Sequence, residues 1–237
     1  MSAVAQNAEQ SVPLKTWLAV VGAMIGAFIA VLNIQITNAS LPDIQGAIGA
    51  GIDDGGWIST SYLVAEIVVI PLTGFLVPVF SLRRYLLANA VLFLVMSVAC
   101  AFATNLEQMI AMRALQGFFG GVLIPLAFTI TLTMLPRSKQ PIGLALFAIS
   151  ATFAPAIGPT IGGYLTQTYN WRYIFYVNLI PGVVMLGFLF PTLPVGQMKL
   201  SLLKKGDWTG IATMAIGLPA CRPCWKRATR TIGSARP

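Results

Sequence analysis

The sequence predicts an all-α membrane protein with six transmembrane helices and an incomplete seventh helix. Of its 237 residues, 57% are hydrophobic and 9% are charged, and it contains no histidine. Soluble domains are about 25% charged, so this composition is typical of a protein that lies in a bilayer. A spanning helix needs about 20 mostly apolar residues. Six such stretches occur at 16–41, 57–80, 85–103, 108–135, 141–166 and 171–193, and a seventh, at 208–218, is too short to cross.

The charged residues of the connections separate into two groups. Bases lie in every second connection, where the positive-inside rule predicts cytoplasm; they are Lys15, Arg83, Arg84, Arg137, Lys139, Lys199, Lys204 and Lys205. Acids lie mainly in the other connections, where Arg172 is the one base; they are Asp43, Asp53, Asp54 and Glu107. We therefore predict a cytoplasmic N-terminus at 1–15, a six-helix bundle at 16–195, and a cytoplasmic linker with the start of the seventh helix at 196–220.

The last segment, 221–237, differs from the rest of the chain. It contains Cys221 and Cys224, two of the three cysteines, and five of the fifteen bases. Without those five bases, 10 bases face 7 acids, a net charge of +3 instead of +8, so the body of the chain does not predict nucleic-acid binding. One cysteine pair without histidine is a poor zinc site. A shifted reading frame would give an apolar helix and an acidic loop instead, and we interpret this tail as frameshifted.

Two charged residues lie within predicted spans. Placing a charge at membrane depth costs free energy, so such residues are candidates for a function. Glu66 is nine residues into the second span, about 13 Å along the helix axis and near the bilayer centre. Its carboxyl group either loads and releases a proton, or is structurally paired or permanently protonated. Arg113 lies in the fourth span in RALQGFFGG and shares a face with Gln116. It is either a functional group or a helix-packing anchor, beside Gly117, which allows close approach.

Hydrogen-bonding side chains crowd the end of the first span, LNIQITNASLP. Asn33 and Thr37 are one helical turn apart and share a face, and Gln35 and Asn38 share another. These four residues either hold neighbouring helices together or line a cavity.

The fifth span contains APAIGPTIGG at residues 154–163. Pro155 and Pro159 each remove a backbone hydrogen bond, and Gly158, Gly162 and Gly163 form a flat surface for another helix. This pattern predicts either an interface that seals or rocks, or a kinked helix that packs without motion.

Four segments of the sequence resemble motifs of one family. RALQGFFGG resembles the fourth-helix R-x-x-Q-G motif of the major facilitator superfamily, and AIGPTIGG resembles the fifth-helix G-P-x-x-G-G motif of its antiporters. LNIQITNASLP and WRYIFYVNLIPG (171–182) are similar to the first-helix and sixth-helix motifs of its fourteen-helix drug:proton antiporters, the EmrB/QacA type. The resemblance covers residues 16–218 and implies a chain truncated after the N-terminal six-helix bundle of the major facilitator fold.

The sequence departs from the family pattern in the first helix. Asn33 occupies the position of the family's aspartate, and its amide cannot titrate. Glu66 is therefore the candidate acid deep in a span, and the proton-coupling candidates are Glu66 and Arg113.

A second departure lies between helices two and three, in GFLVPVFSLRR. Gly74 and the basic pair Arg83 and Arg84 match the family motif. Pro78 stands in place of its aspartate and Ser81 in place of its second glycine. The conformational motif that the resemblance implies therefore comprises Gly74, Arg83, Arg84, Gly117, Pro155, Gly158, Pro159, Gly162 and Gly163.

The resemblance implies a proton-coupled multidrug efflux antiporter of amphipathic small molecules in the bacterial cytoplasmic (inner) membrane. Because a second half supplies the opposite wall of the cavity, this half by itself is expected to be inactive. The implied partners are the bilayer, a small amphipathic substrate, the proton, a periplasmic adaptor and an outer-membrane channel, with no cofactor, metal or nucleic acid. The substrate-cavity candidates are Asn33, Gln35, Thr37, Asn38 and Gln116.

The alternative function is a short membrane scaffold or regulator that pairs with another transporter half. An enzyme is not expected, because the sequence contains no metal cluster, nucleophile–base pair or cofactor motif.

Overall fold

The computed structural model describes residues 12–205 and residues 209, 210, 213 and 217. Over these residues the protein is all-helical, as the sequence predicts. Residues 1–11, the tail at 221–237 and most of the predicted seventh helix at 208–218 lie outside the described residues.

Ten α-helices and a short 3₁₀-helix form between residues 12 and 205. They are α1 (Leu14–Ala39), α2 (Leu41–Ile48), α3 (Ile52–Gly55), α4 (Trp57–Phe80), α5 (Leu82–Ala101), α6 (Leu106–Gly120), α7 (Leu123–Met134), α8 (Gln140–Thr168), α9 (Tyr173–Tyr176), α10 (Leu179–Thr192) and the 3₁₀-helix Leu200–Lys205.

Six stretches in the described part of the chain are long and apolar enough to cross a membrane. They are Leu14–Ala39, Trp57–Phe80, Leu82–Ala101, Leu106–Met134, Gln140–Thr168 and Tyr173–Thr192. The six predicted spans are confirmed, and each end lies within three residues of the predicted one.

Two of the six spans contain a short irregularity in the helix. The fourth consists of α6 and α7, joined by a turn at Gly121, and the sixth consists of α9 and α10, joined by a turn that contains Asn178. In contrast, α8 continues through Pro155 and Pro159. Helix breaks at membrane depth are tolerated when neighbouring helices satisfy the freed backbone groups.

The first span lies at the centre of the bundle. α1 packs against α8, α10 and α7, while α4 and α5 both pack against α6. Its buried face is rich in small residues; these are Ala19, Gly22, Ala23, Gly26, Ala27 and Ala30. In a bilayer, such residues allow the close van der Waals packing that holds helices together.

Close approach of α8 to α1 explains two of the three glycines in the fifth-span motif. A Cβ atom added at Gly158 would lie 2.5 Å from Cβ of Gln35, and one at Gly162 would lie 3.0 Å from the carbonyl oxygen of Ile36. At Gly163, no described residue outside its own helix and chain neighbours comes within 4 Å of the added atom. The packing surface is therefore formed by the glycines four residues apart.

The turn between α4 and α5 depends on an unusual backbone conformation. Ser81 has φ 72° and ψ 137°, and it is the non-glycine residue with positive φ in the described chain. Residues with a Cβ rarely adopt this conformation. The glycine that the family motif has here would adopt it without that strain.

The end of the sixth span and the segment after it hold this turn in place. Arg83 donates a hydrogen bond from Nη2 to the carbonyl oxygen of Phe190 at 2.8 Å, and its Cζ lies 5.1 Å from the centre of the Phe190 ring. The backbone N–H of Lys199 donates to the carbonyl oxygen of Val79 at 2.8 Å. Arg84 is exposed, so one arginine of the basic pair anchors the turn.

We expect substitutions of two α8 glycines, Gly158 and Gly163, to differ in their effect on stability, because only Gly158 contacts α1. Gly158→Ala should lower the free energy of unfolding by about 1–3 kcal/mol, because the new methyl group overlaps Gln35. Gly163→Ala should leave it unchanged or raise it by about 0.5–1 kcal/mol, since alanine favours the helix. Reversible unfolding in mixed micelles measures both, and equal effects at the two positions would contradict this packing.

At the α4–α5 turn, we expect Ser81→Gly to stabilise the protein. Relief of the positive φ should raise the free energy of unfolding by about 1 kcal/mol. Ser150→Gly is the matched control: it puts glycine inside α8 and should cost about 0.5–1 kcal/mol. Unfolding in mixed micelles again measures both. A destabilising Ser81→Gly would show that the turn is not strained.

Candidate functional site

The buried guanidinium group of Arg113 lies at the centre of the candidate site. Arg113, on α6, is 1% exposed. Its Nη1 donates to Oδ1 of Asn33 at 2.5 Å and to Oε1 of Gln116 at 2.6 Å, and its Nε donates to the carbonyl oxygen of Ile58 at 3.5 Å. The positive charge is thus held by neutral acceptors from α1, α4 and its own helix.

Two aromatic rings add to this environment. Cζ of Arg113 lies 4.2 Å from the centre of the Tyr62 ring and 5.9 Å from that of Phe175. A cation over an aromatic face gains about 2 kcal/mol when the group is desolvated. Tyr62 on α4 and Phe175 on α9 are both fully buried, so α4 and the start of the sixth span also enclose the guanidinium group.

Glycines on the fourth span allow α4 to come this close. A Cβ atom added at Gly117 would overlap the backbone carbonyl of Tyr62, and one at Gly121 would lie 2.9 Å from Cα and Cγ of Glu66. The helices therefore meet backbone to backbone over this length, as small residues permit in membrane proteins.

Glu66 belongs to the same site. It is 6% exposed and lies one helical turn after Tyr62 on α4. The ring of Tyr62 lies over the guanidinium group, which places Glu66 near Arg113, although the hydrogen bonds of Arg113 go to Asn33, Gln116 and Ile58. The two charged residues predicted from the sequence are thus brought together without a direct hydrogen bond between them.

The five substrate-cavity candidates occupy different environments. Asn33, Thr37 and Gln116 lie inside the bundle, with exposures of 1%, 1% and 0%. Thr37 donates from Oγ1 to the backbone carbonyl of Asn33 at 2.8 Å. Gln35 is half-buried against α8, and Asn38 is exposed. Asn33 therefore links two helices through Arg113, while the cavity-lining role of the set stays a prediction.

Sequence reasoning did not find several residues of this site. Tyr62, Phe175 and Cys100 surround Arg113 or its partner Gln116, and Ser97 and Asn178 bind each other beside Phe175. Single aromatic, serine and cysteine residues are ordinary in membrane helices, so they carry no signal of their own. Asn178 could have been found, because it is an amide inside an apolar stretch, as Asn33 is.

Comparison with known proteins identifies the family of this bundle. The sequence profile described as Major Facilitator Superfamily matches residues 23–231. The chain belongs to the major facilitator superfamily.

Solved structures of this superfamily share the fold. The proton:xylose symporter XylE superposes with a TM-score of 0.66 at 16% identity, over 87% of this chain and 51% of that one. The human organic anion transporter MFSD10 superposes with a TM-score of 0.65 at 18% identity, over 87% of this chain and 55% of that one.

Relatives in sequence are export and resistance proteins of the superfamily. The colistin resistance protein EmrB of Acinetobacter baumannii is 38% identical over 90% of this chain and 42% of its own length. The multidrug export protein EmrB of Escherichia coli is 34% identical over 82% of this chain and 38% of its own length. The fatty acid resistance protein FarB of Neisseria gonorrhoeae is 33% identical over 83% of this chain and 38% of its own length. The chain thus spans about two fifths of the length of these relatives.

We expect the two asparagines of α1 to differ sharply in their effect on stability. Asn33→Ala removes an acceptor from a buried cation and should lower the free energy of unfolding by about 1.5–3 kcal/mol. Asn38→Ala, the matched control on the exposed face, should change it by less than about 0.5 kcal/mol. Unfolding of both variants in mixed micelles measures the difference. A neutral Asn33→Ala would mean that Arg113 does not depend on this bond.

Proposed function

We propose that this chain is the N-terminal six-helix half of a proton-coupled exporter of amphipathic small molecules. The carrying observation is the buried charged site: Arg113 has neutral hydrogen-bond partners, and Glu66 is buried on α4 one helical turn after Tyr62, whose ring lies over the guanidinium group. An intramembrane ionisable pair of this kind is a functional site by default.

The proposed coupling follows from the charge of the pair. Arg113 keeps its positive charge under all conditions, so protonation of Glu66 changes the net charge of the site from zero to +1. In a poorly polarisable interior a unit charge acts strongly on its surroundings. The site lies where Gly117 and Gly121 bring α6 and the turn after it against α4. Proton binding therefore alters the forces between these helices.

The proposed substrates are small amphipathic molecules, including drugs. This proposal draws on the relatives, whose names concern colistin resistance, multidrug export and fatty acid resistance. Transporters of this type bind substrate near the midplane, between two repeats that alternate access by rocking. Export then requires a second six-helix half to supply the opposite wall.

The proposed location is the bacterial cytoplasmic membrane with the N-terminus inside. Contacts of Arg83 with Phe190 and of Lys199 with Val79 bring two basic segments to one end of the bundle, and the positive-inside rule favours the cytoplasmic side for such an end. We extend the proposal to a periplasmic adaptor and an outer-membrane channel as partners, on the family resemblance alone.

A chimera tests the function. In it, residues 14–193 replace the corresponding segment of the Escherichia coli multidrug export protein EmrB, and efflux of a lipophilic dye is followed in everted vesicles. We expect efflux that a protonophore abolishes. Glu66→Gln should remove proton-driven export while dye binding persists, and Arg113→Ala should remove export.

The controls are exposed residues of the same charge. Glu107→Gln, at the start of α6, and Arg137→Ala, in the connection before α8, should both export normally, because their side chains are exposed. Normal proton-driven export by Glu66→Gln would assign the coupling acid to the other half. Efflux that continues in the presence of the protonophore, or full activity of Arg113→Ala, would reject the proposed mechanism.

A further inference from the structure

We propose that Ser97 and Asn178 form a clamp that positions Phe175, and through it the charged site at Arg113. Asn178 would then be a positioning residue of the transporter, within the sixth-span segment WRYIFYVNLIPG. The inference rests on the proposed function of Arg113 for its meaning, although the geometry of the clamp does not depend on it.

The clamp consists of two buried hydrogen bonds with a defined direction. Oγ of Ser97 donates to the carbonyl oxygen of Phe175 at 2.9 Å, and Nδ2 of Asn178 donates to Oγ of Ser97 at 2.9 Å. All three residues are 0% exposed. Because the hydroxyl hydrogen of Ser97 is used on Phe175, its oxygen can only accept, and Asn178 must present its NH₂ group.

The clamp lies at the helix irregularity of the sixth span. Between the end of α9 and the start of α10, the backbone N–H of Asn178 makes a long bond of 3.4 Å to the carbonyl oxygen of Phe175. Carbonyls at a helix end lack regular partners, and Ser97 supplies the shorter bond from another span. The carbonyl oxygen of Phe175 thus accepts a bond from α5 as well as one from its own span.

Two routes connect α5 with Arg113. One runs from Ser97 to Phe175, whose ring centre is 5.9 Å from Cζ of Arg113. The other runs from Cys100, one turn further along α5, which donates from Sγ to Oε1 of Gln116 at 3.6 Å; the same oxygen accepts from Arg113. α5 therefore contacts two residues that surround the guanidinium group, Phe175 through Ser97 and the side chain of Gln116 through Cys100.

The Ser97 bond joins two spans, as the bonds of Ser40 to Thr166 and of Tyr62 to Ala30 do, and it differs in this from the local hydroxyl bonds of the bundle. Thr73, Thr131 and Ser150 each donate to the carbonyl four residues earlier in their own helix. Such local bonds satisfy a hydroxyl group in an apolar environment. Ser97 instead bonds across 78 positions of the chain to another span, so its loss removes a hydrogen bond between two spans.

Hydrogen exchange of the Arg113 side chain tests the clamp in the full 237-residue chain. The protein is labelled with ¹⁵N in lipid nanodiscs, and the Nε–H resonance of Arg113 is assigned by its loss in Arg113→Lys. We expect Ser97→Ala to accelerate exchange of this proton about tenfold, the change that loss of one net hydrogen bond permits. Ser150→Ala, whose hydroxyl bond is local, should exchange like the wild type.

Asn178 has its own matched control. Asn178→Ala should accelerate exchange at Arg113 as Ser97→Ala does, whereas Asn89→Ala should not, because Asn89 is buried but donates only to Tyr85 of its own helix. The double variant Ser97→Ala/Asn178→Ala should exchange no faster than the faster single variant, since both act through one link.

Backbone amides of α8 serve as the reference for global loosening. The proposal is supported if Arg113 exchange accelerates while these amides keep their rates. It is overturned if Ser97→Ala leaves the exchange rate of Arg113 unchanged, or if the exchange of Arg113 and that of the α8 amides accelerate equally. Export is not needed for this readout, so failure of the proposed transport function and failure of the clamp are distinguishable.

Discussion

The burial of Arg113 is the constraint on which the rest of the bundle depends. A guanidinium group keeps its charge in a protein, so a helix bundle that excludes water must provide acceptors and polarisable faces around it. The first span provides Asn33, the second provides the Ile58 carbonyl and the Tyr62 ring, and the fourth provides Gln116. These groups can all contact the guanidinium group only if the first, second and fourth spans each turn the face that carries them toward Arg113.

Close backbone packing is the condition that makes this arrangement possible. Tyr62 can lie over the guanidinium group because Gly117 lets α6 approach the backbone of α4. The same approach brings Glu66 against Gly121. Charge and packing are therefore coupled at one place: any movement of α4 relative to α6 changes the environment of both ionisable residues.

Asn33 gives this chain a charge balance that differs from the family pattern. With the family's aspartate at that position, the arginine would have an ionic partner within hydrogen-bonding distance. Here the amide accepts the bond but contributes no charge, and the buried carboxyl group of this site is that of Glu66 on another helix.

The sequence alone determined the spans and the two charged candidates, because hydrophobic length and the cost of charge at membrane depth are local properties. Tertiary structure alone decided which face of each helix is buried. Asn33 and Asn38 are the same residue type on one helix, yet only Asn33 reaches Arg113. The roles of Tyr62, Phe175 and Ser97 arise only when other helices rotate toward them, since hydrogen bonds and ring contacts depend on distances that sequence spacing does not contain.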